Sequence, residues 1–139
     1  MARGLAPCTN DFGRERLRSA EAFIRAAERV LSDDEIIPGA EGFKNNAAIN
    51  NYVHAGIAAA DAVCCFELKA HSQGDDHRQA VAQLRRVKPN GPKLGQYLGV
   101  LLDLKTKAGY GSKPLSDTAA KRAERAAVAL VQAGRARRP

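Results

Sequence analysis

A stripe of polar residues along an otherwise apolar segment is the first feature of this sequence that could do chemistry. The stripe consists of Asn46, Asn50, His54 and Asp61. At about 100° per residue, a helix places these four side chains within about 80° of one another. Two interpretations fit. Either His54 and Asp61 meet a ligand or a catalytic partner in a pocket, or the stripe is an internal hydrogen-bond network that fixes the helix in its register.

A second group of polar residues ends a leucine-rich segment, where Lys105, Lys107 and Tyr110 follow in turn. The lysines could hold a phosphate, and the tyrosine could stack on a base. The alternative is a solvated helix end, because lysine complements the negative end of the helix dipole. Both interpretations stay open at the level of sequence.

The charge of the chain is divided unevenly between its two halves. Residues 1–76 carry 8 basic and 12 acidic side chains, whereas residues 77–139 carry 14 basic and 3 acidic ones. A basic half of this kind can serve nucleic acid, a nucleotide or an acidic partner. The two halves could equally attract each other within the fold or across a dimer.

Metal and cysteine chemistry have little support in the sequence. His77 follows Asp75 and Asp76, but adjacent carboxylates at a helix start are ordinary capping and dipole partners. Neighbouring Cys64 and Cys65 point to different sides of a helix and are poorly placed to bridge each other. We therefore expect no metal site and no cofactor. Cys64 and Cys65 should be buried thiols, and Cys8 a free N-terminal thiol, in a reducing compartment.

Hydrophobic periodicity and turn signals predict five helices joined by short loops. The expected ranges are Asp11 to Leu31, about Phe43 to Lys69, Asp75 or Asp76 to about Val87, Lys93 to Ala108, and Ser116 or Asp117 to about Ala133. The predicted fold class is all-α, a five-helix bundle formed by residues 11–133. Residues 1–10 are expected to be a flexible N-terminus, and residues 134–139 a frayed basic tail.

The second predicted helix is apolar around most of its circumference, which indicates a long, buried central helix. Ile57, Ala60, Val63 and Cys64 should be largely inaccessible. No apolar run approaches the roughly 18 residues that a membrane span needs, and the N-terminus lacks the apolar segment of a secretory signal. These patterns predict a cytoplasmic protein with no membrane contact.

Three segments resemble HEPN domains (higher eukaryotes and prokaryotes nucleotide-binding) in order and spacing, and more narrowly uncharacterised actinobacterial HEPN-like proteins. They are NYVHAGIAAADAVCC (residues 51–65), DDHRQAVAQLRR (residues 75–86) and LLDLKTKAGYG (residues 101–111). The resemblance covers roughly residues 43–133 and specifies fold better than chemistry. It implies a homodimer that, in many members, cleaves RNA without a metal. Those members carry an arginine that is followed four to six residues later by a histidine. The arginine stabilises the charge of the phosphate, and the histidine acts as the acid and base.

This sequence departs from that motif. None of His54, His71 and His77 has an arginine four to seven positions ahead of it. Lys105 lies where the resemblance would place the arginine, and no histidine follows it. We therefore expect an absence of the usual ribonuclease activity.

The leading hypothesis is a non-catalytic binding module for a nucleotide, RNA or a protein partner, in the toxin–antitoxin or defence context that the resemblance implies. Its expected ligand-binding residues are Asn50, His54, Asp61, Lys105, Lys107 and Tyr110. One alternative is a diverged ribonuclease whose candidate catalytic residues are His54, His77 and Lys105. Another is a purely structural dimerisation domain. A histidine close to Lys105 or Tyr110 in the folded chain would favour the ribonuclease.

Overall fold

Five α-helices make up most of the chain in the computed structural model, which describes residues 4–34, 41–74, 77–111 and 113–139. They are α1 (Asn10–Ser32), α2 (Lys44–Leu68), α3 (His77–Arg85), α4 (Gly91–Tyr110) and α5 (Asp117–Arg137). A single 3-10 turn, Glu41–Phe43, precedes α2. The predicted all-α, five-helix bundle is confirmed. The expected start of the third helix at Asp75 or Asp76 lies outside the described residues.

Side-chain caps determine where two of the helices begin. The hydroxyl of Thr9 accepts a hydrogen bond from the backbone N–H of Phe12 at 3.1 Å, so α1 begins one residue before the sequence predicted. The hydroxyl of Ser116 accepts from the backbone N–H of Ala119 at 3.0 Å and caps α5 as expected. Each cap satisfies a backbone donor that the first helical turn leaves without a partner.

The central helix α2 packs against α1, α4 and α5 and forms the core. Val63 is fully buried, and Ala60 and Cys64 are nearly so, as predicted. Gly56 lets α2 approach its neighbours closely, because a Cβ atom at this position would collide with Leu101 of α4. The expectation for Ile57 was wrong. Its side chain is only partly buried, because it faces a cavity.

The N-terminal segment is held in place in two ways, which corrects the expectation of a flexible N-terminus. Strand β1 (Leu5–Pro7) pairs antiparallel with strand β2 (Ala70–Ser72), which directly follows α2. The residue after β1, Cys8, forms a disulfide bond with Cys65 of α2. Cys8 is therefore not the free thiol that the sequence predicted. Cys64 is buried and free, and burial together with the nearby Asp61 carboxylate raises its pKa to about 12.

Residues 134–137 of the expected frayed tail instead form the last turn of α5. The Arg137 side chain is only 10% exposed, and its Nε lies 3.6 Å from the Glu67 carboxylate of α2. Its guanidinium also donates a hydrogen bond to the backbone oxygen of Pro89, in the turn between α3 and α4. The frayed tail was expected from the Gly and Arg composition of the terminus, and composition does not show that Arg137 makes these contacts.

None of the helices in the described ranges combines the length and apolar character that a membrane span requires.

Candidate functional site

A cavity of about 420 Å³ opens between α1, α2, β2, α3 and α4. Its apolar wall includes Ile57 and Ala60 of α2 and Leu98 and Leu102 of α4. Its charged and imidazole side chains come from five different elements and are Arg16, Asp61, His71, His77 and Lys105. Volumes of about 300–1,000 Å³ with an apolar lining and a few polar groups are typical of small-molecule sites.

Asp61 is the acidic group among the described residues that line the cavity. Its Oδ2 atom lies 3.0 Å from Nη2 and 3.1 Å from Nε of Arg16. Its Oδ1 atom lies 3.8 Å from Nδ1 of His71. Burial raises the pKa of Asp61, and the positive charges of Arg16 and His71 oppose that rise. The carboxylate therefore neutralises Arg16 and also lies beside the His71 ring.

The His71 ring is positioned by three contacts. Its Nδ1 atom lies 3.0 Å from the backbone oxygen of Ser72. A hydrogen bond at this distance assigns the proton of the neutral ring to Nδ1, which leaves Nε2 as the basic nitrogen. The ring also stacks on Phe12 with centroids 4.8 Å apart. His71 thus lies fixed in strand β2, with Phe12 on its face and Asp61 beside Nδ1.

His77 and Lys105 form a second polar pair in the cavity. The Lys105 ammonium, from α4, lies 3.3 Å from Nε2 of His77, the first residue of α3. Lysine can only donate, so the Nε2 lone pair accepts and the ring proton lies on Nδ1. The structure therefore brings a histidine close to Lys105, the arrangement that favours the ribonuclease alternative. The hydroxyl of Ser72, the last residue of β2, also lines the cavity; its Oγ is buried and lacks a hydrogen-bond partner among the described residues.

Three of the predicted site residues, Asp61, His77 and Lys105, meet in this cavity. The N-terminal part of the polar stripe does not. His54 is exposed and stacks on Phe23 of α1 with ring centroids 5.2 Å apart, and Asn50 is exposed. His54 and Asn50 lie outside the cavity although they share a helix face with Asp61, because they are about 10 and 16 Å away from it along the axis of α2.

Asn46 fits the hydrogen-bond interpretation of the stripe. Its side chain is buried, accepts from the backbone N–H of Leu115 at 2.8 Å and donates to the backbone oxygen of Lys113 at 3.2 Å. The residue therefore anchors the segment before α5 to the start of α2.

Lys107 and Tyr110 lie outside the cavity, although the sequence grouped them with Lys105. Both are exposed, and the Tyr110 side chain is 83% accessible. A helix turns by about 200° over two residues, so Lys105 and Lys107 face opposite ways. Of Lys105, Lys107 and Tyr110, only Lys105 therefore lines the cavity.

Sequence reasoning missed Arg16 and His71. Arg16 lies on a mostly charged face of α1, and His71 lies between the second and third predicted helices. The contact between Arg16 and Asp61 joins residues 45 positions apart. Neither periodicity nor local spacing carries a signal for a contact over such a distance.

The electrostatics of the cavity suit an anion better than a metal ion. Two permanent cations and two histidines face one carboxylate. Within the described ranges, no three His, Cys, Asp or Glu side chains are grouped so as to hold a metal. Comparisons with protein-family models, with curated proteins and with solved structures find no match for this chain.

Proposed function

We propose that this chain binds a nucleotide or an RNA phosphate in the central cavity and that binding, rather than catalysis, is its function. The single observation that carries the proposal is the convergence of Arg16, His71, His77 and Lys105 on one partly apolar cavity. Phosphate oxygens accept hydrogen bonds from all three side-chain types.

The two cations differ in what they can offer a ligand. Arg16 is already paired with Asp61. Lys105 forms no ion pair with an acidic side chain in the described ranges, and its neighbour His77 has an Nδ1–H group that can also donate. We therefore assign the phosphate to Lys105 and His77. The apolar surface of Leu98, Leu102 and Ile57 can then cover the base or sugar.

The HEPN-like classification, a homodimer, a toxin–antitoxin or defence context and a protein partner all remain proposals beside this one. Cytoplasmic location is also a proposal. The disulfide between Cys8 and Cys65 argues against a steadily reducing compartment, because glutathione and thioredoxin keep most thiols reduced there.

The test is a calorimetric titration of the protein with uridine monophosphate. Lys105→Ala should weaken binding by about tenfold or more, because a hydrogen bond to a charged group contributes about 1.5–3 kcal/mol. Lys107→Ala is the matched control, since it removes an exposed lysine from the same helix outside the cavity. Equal effects of the two substitutions would contradict the assignment. An absence of binding by the wild-type protein would favour the structural dimerisation domain.

A second candidate function is metal-free cleavage of RNA, which the short distance between His77 and Lys105 and the presence of His71 in the same cavity favour. One histidine would take the proton of a ribose 2′-hydroxyl as its oxygen attacks phosphorus. The other would protonate the departing 5′-oxygen, which leaves a 2′,3′-cyclic phosphate. Binding remains the leading proposal because the lone pair of His77 Nε2 already accepts from Lys105, which leaves it unavailable as a base.

We expect no cleavage of a labelled single-stranded RNA in the presence of EDTA, measured on a denaturing gel. His54→Ala is the control, because His54 is exposed and outside the cavity. If the wild type and His54→Ala cleave while His71→Ala and His77→Ala do not, the second function replaces the first.

A further inference from the structure

A groove between α3 and α4 adjoins the cavity described above. The two share His77 and Leu102 in their walls. The groove has a volume of about 350 Å³, and its floor includes Gly99 of α4. A Cβ atom at Gly99 would meet no other atom within 4 Å, so the floor is open above this residue. A ligand seated in the cavity could reach this groove across the edge formed by His77 and Leu102, the two residues that line both.

Two arginines on α3, Arg78 and Arg85, line the groove. Seven residues of helix separate them by about 10 Å along the axis and about 20° around it, so both face the same side. Both are exposed, and neither forms an ion pair within the described part of the chain. One acidic residue, Asp103, also lines the groove. Together with Arg16 and Lys105 in the adjoining cavity, the two sites carry four cations against this acid and Asp61.

The position of Arg85 is set by packing. A Cβ atom at Gly95 would lie 2.5 Å from Cγ of Arg85, so the stem of the arginine lies across the backbone of α4. Val81 flanks the same point at 3.6 Å. The aliphatic part of Arg85 is thereby held against α4 while its charged end remains exposed, which reduces the entropy lost when it binds an anion.

We infer that the ligand is an extended single-stranded RNA, with one nucleotide in the central cavity and its further phosphates on Arg78 and Arg85. The inference rests on the proposed function, because the cavity supplies the first phosphate site. A free mononucleotide has a single phosphate group, which the cavity assignment already places on Lys105 and His77. The apolar strip of Val81, Ala82 and Leu102 offers a surface against which bases can lie.

The test compares a fluorescently labelled uridine hexanucleotide, followed by anisotropy, with uridine monophosphate, followed by calorimetry. Each is titrated into the wild type and the double variant Arg78→Gln, Arg85→Gln. The matched control is Arg122→Gln, Arg125→Gln, which removes two exposed arginines from α5, away from the groove. Thermal unfolding of each variant checks that the fold is retained.

We expect the groove variant to lose about tenfold or more in hexanucleotide affinity while its affinity for the monophosphate is unchanged. The slope of log affinity against log salt should become shallower by about 1.4, since two phosphate contacts are lost. The control variant should keep the wild-type slope.

Hexanucleotide affinities that fall equally in the groove and control variants would overturn the inference while leaving the cavity proposal intact. The cavity proposal has its own test, which is the loss of uridine monophosphate binding in the single variant Lys105→Ala. A polyglutamate peptide of matched charge is the competitor. If it displaces the hexanucleotide as well as unlabelled RNA does, the groove binds an acidic protein segment and the RNA assignment is wrong.

Discussion

Replacing Cys8 with serine should lower the free energy of unfolding of the oxidised protein by about 2–4 kcal/mol. The disulfide joins Cys8 to Cys65 across 57 positions of sequence. Closing a loop of that length removes many conformations from the unfolded chain, which is the main source of the expected stabilisation. The bond also holds β1 beside β2, the strand that carries His71.

Urea unfolding followed by circular dichroism measures this effect. Dithiothreitol provides the internal control, because it should reduce the stability of the wild type to that of Cys8→Ser and leave the variant unchanged. A thiol titration of the denatured, unreduced wild type should find one reactive group, Cys64. Wild-type stability that does not respond to the reductant would contradict the prediction.

Truncating Leu101 to alanine should cost about 2–5 kcal/mol of unfolding free energy. Leu101 lies on α4, is fully buried, and packs against α2 and its Gly56. The substitution removes buried apolar surface and leaves a cavity that the helices can only partly close. Thermal or urea unfolding of the variant measures the loss.

The contact between Leu101 and Gly56 predicts a change of sign in a double-mutant cycle. In the wild type, Gly56→Ala should destabilise the protein, because the new methyl group collides with Leu101. In the Leu101→Ala background the same methyl group enters the space that the leucine has left, and Gly56→Ala should stabilise the protein. Gly99→Ala is the matched control. Nothing lies near that position, so helix propensity alone should stabilise it by up to about 1 kcal/mol in both backgrounds. Equal effects of Gly56→Ala in the two backgrounds would show that the contact does not limit packing.

The helices could be predicted because their signals are local. The apolar spacing of residues such as Leu17, Ala20 and Ala27 places them on one face of α1, and all three are buried in the fold. The apolar circumference of α2 likewise indicated its central position. Helix ends were harder, because a cap such as Thr9 depends on one hydroxyl and a backbone conformation rather than on periodicity.

The site could be predicted only in part, because its residues converge from distant segments. Asp61, His77 and Lys105 can be recognised in the sequence as polar residues on or beside apolar helices. The position of Lys105 beside His77 depends on how α3 packs on α4, which spacing within either helix does not specify. His54 shows the converse error. It lies on the same helix as Asp61, but its seven-residue separation leads out of the cavity and toward Phe23.

The disulfide was missed for a related reason. Sequence showed correctly that Cys64 and Cys65 do not bridge each other, but the partner of Cys65 is near the N-terminus. The pairing of β1 with β2 brings Cys8 to α2, and two three-residue strands carry too little alternation to be recognised in sequence.

A protease that cuts once between residues 9 and 64 would not release a fragment from the oxidised protein, because the bond between Cys8 and Cys65 spans the cut. The two products would remain one molecule on a denaturing gel without reductant and would separate when reductant is added. A single cut after residue 65 would give two separate fragments under both conditions. The pair of gels therefore reports whether a cut lies between Cys8 and Cys65.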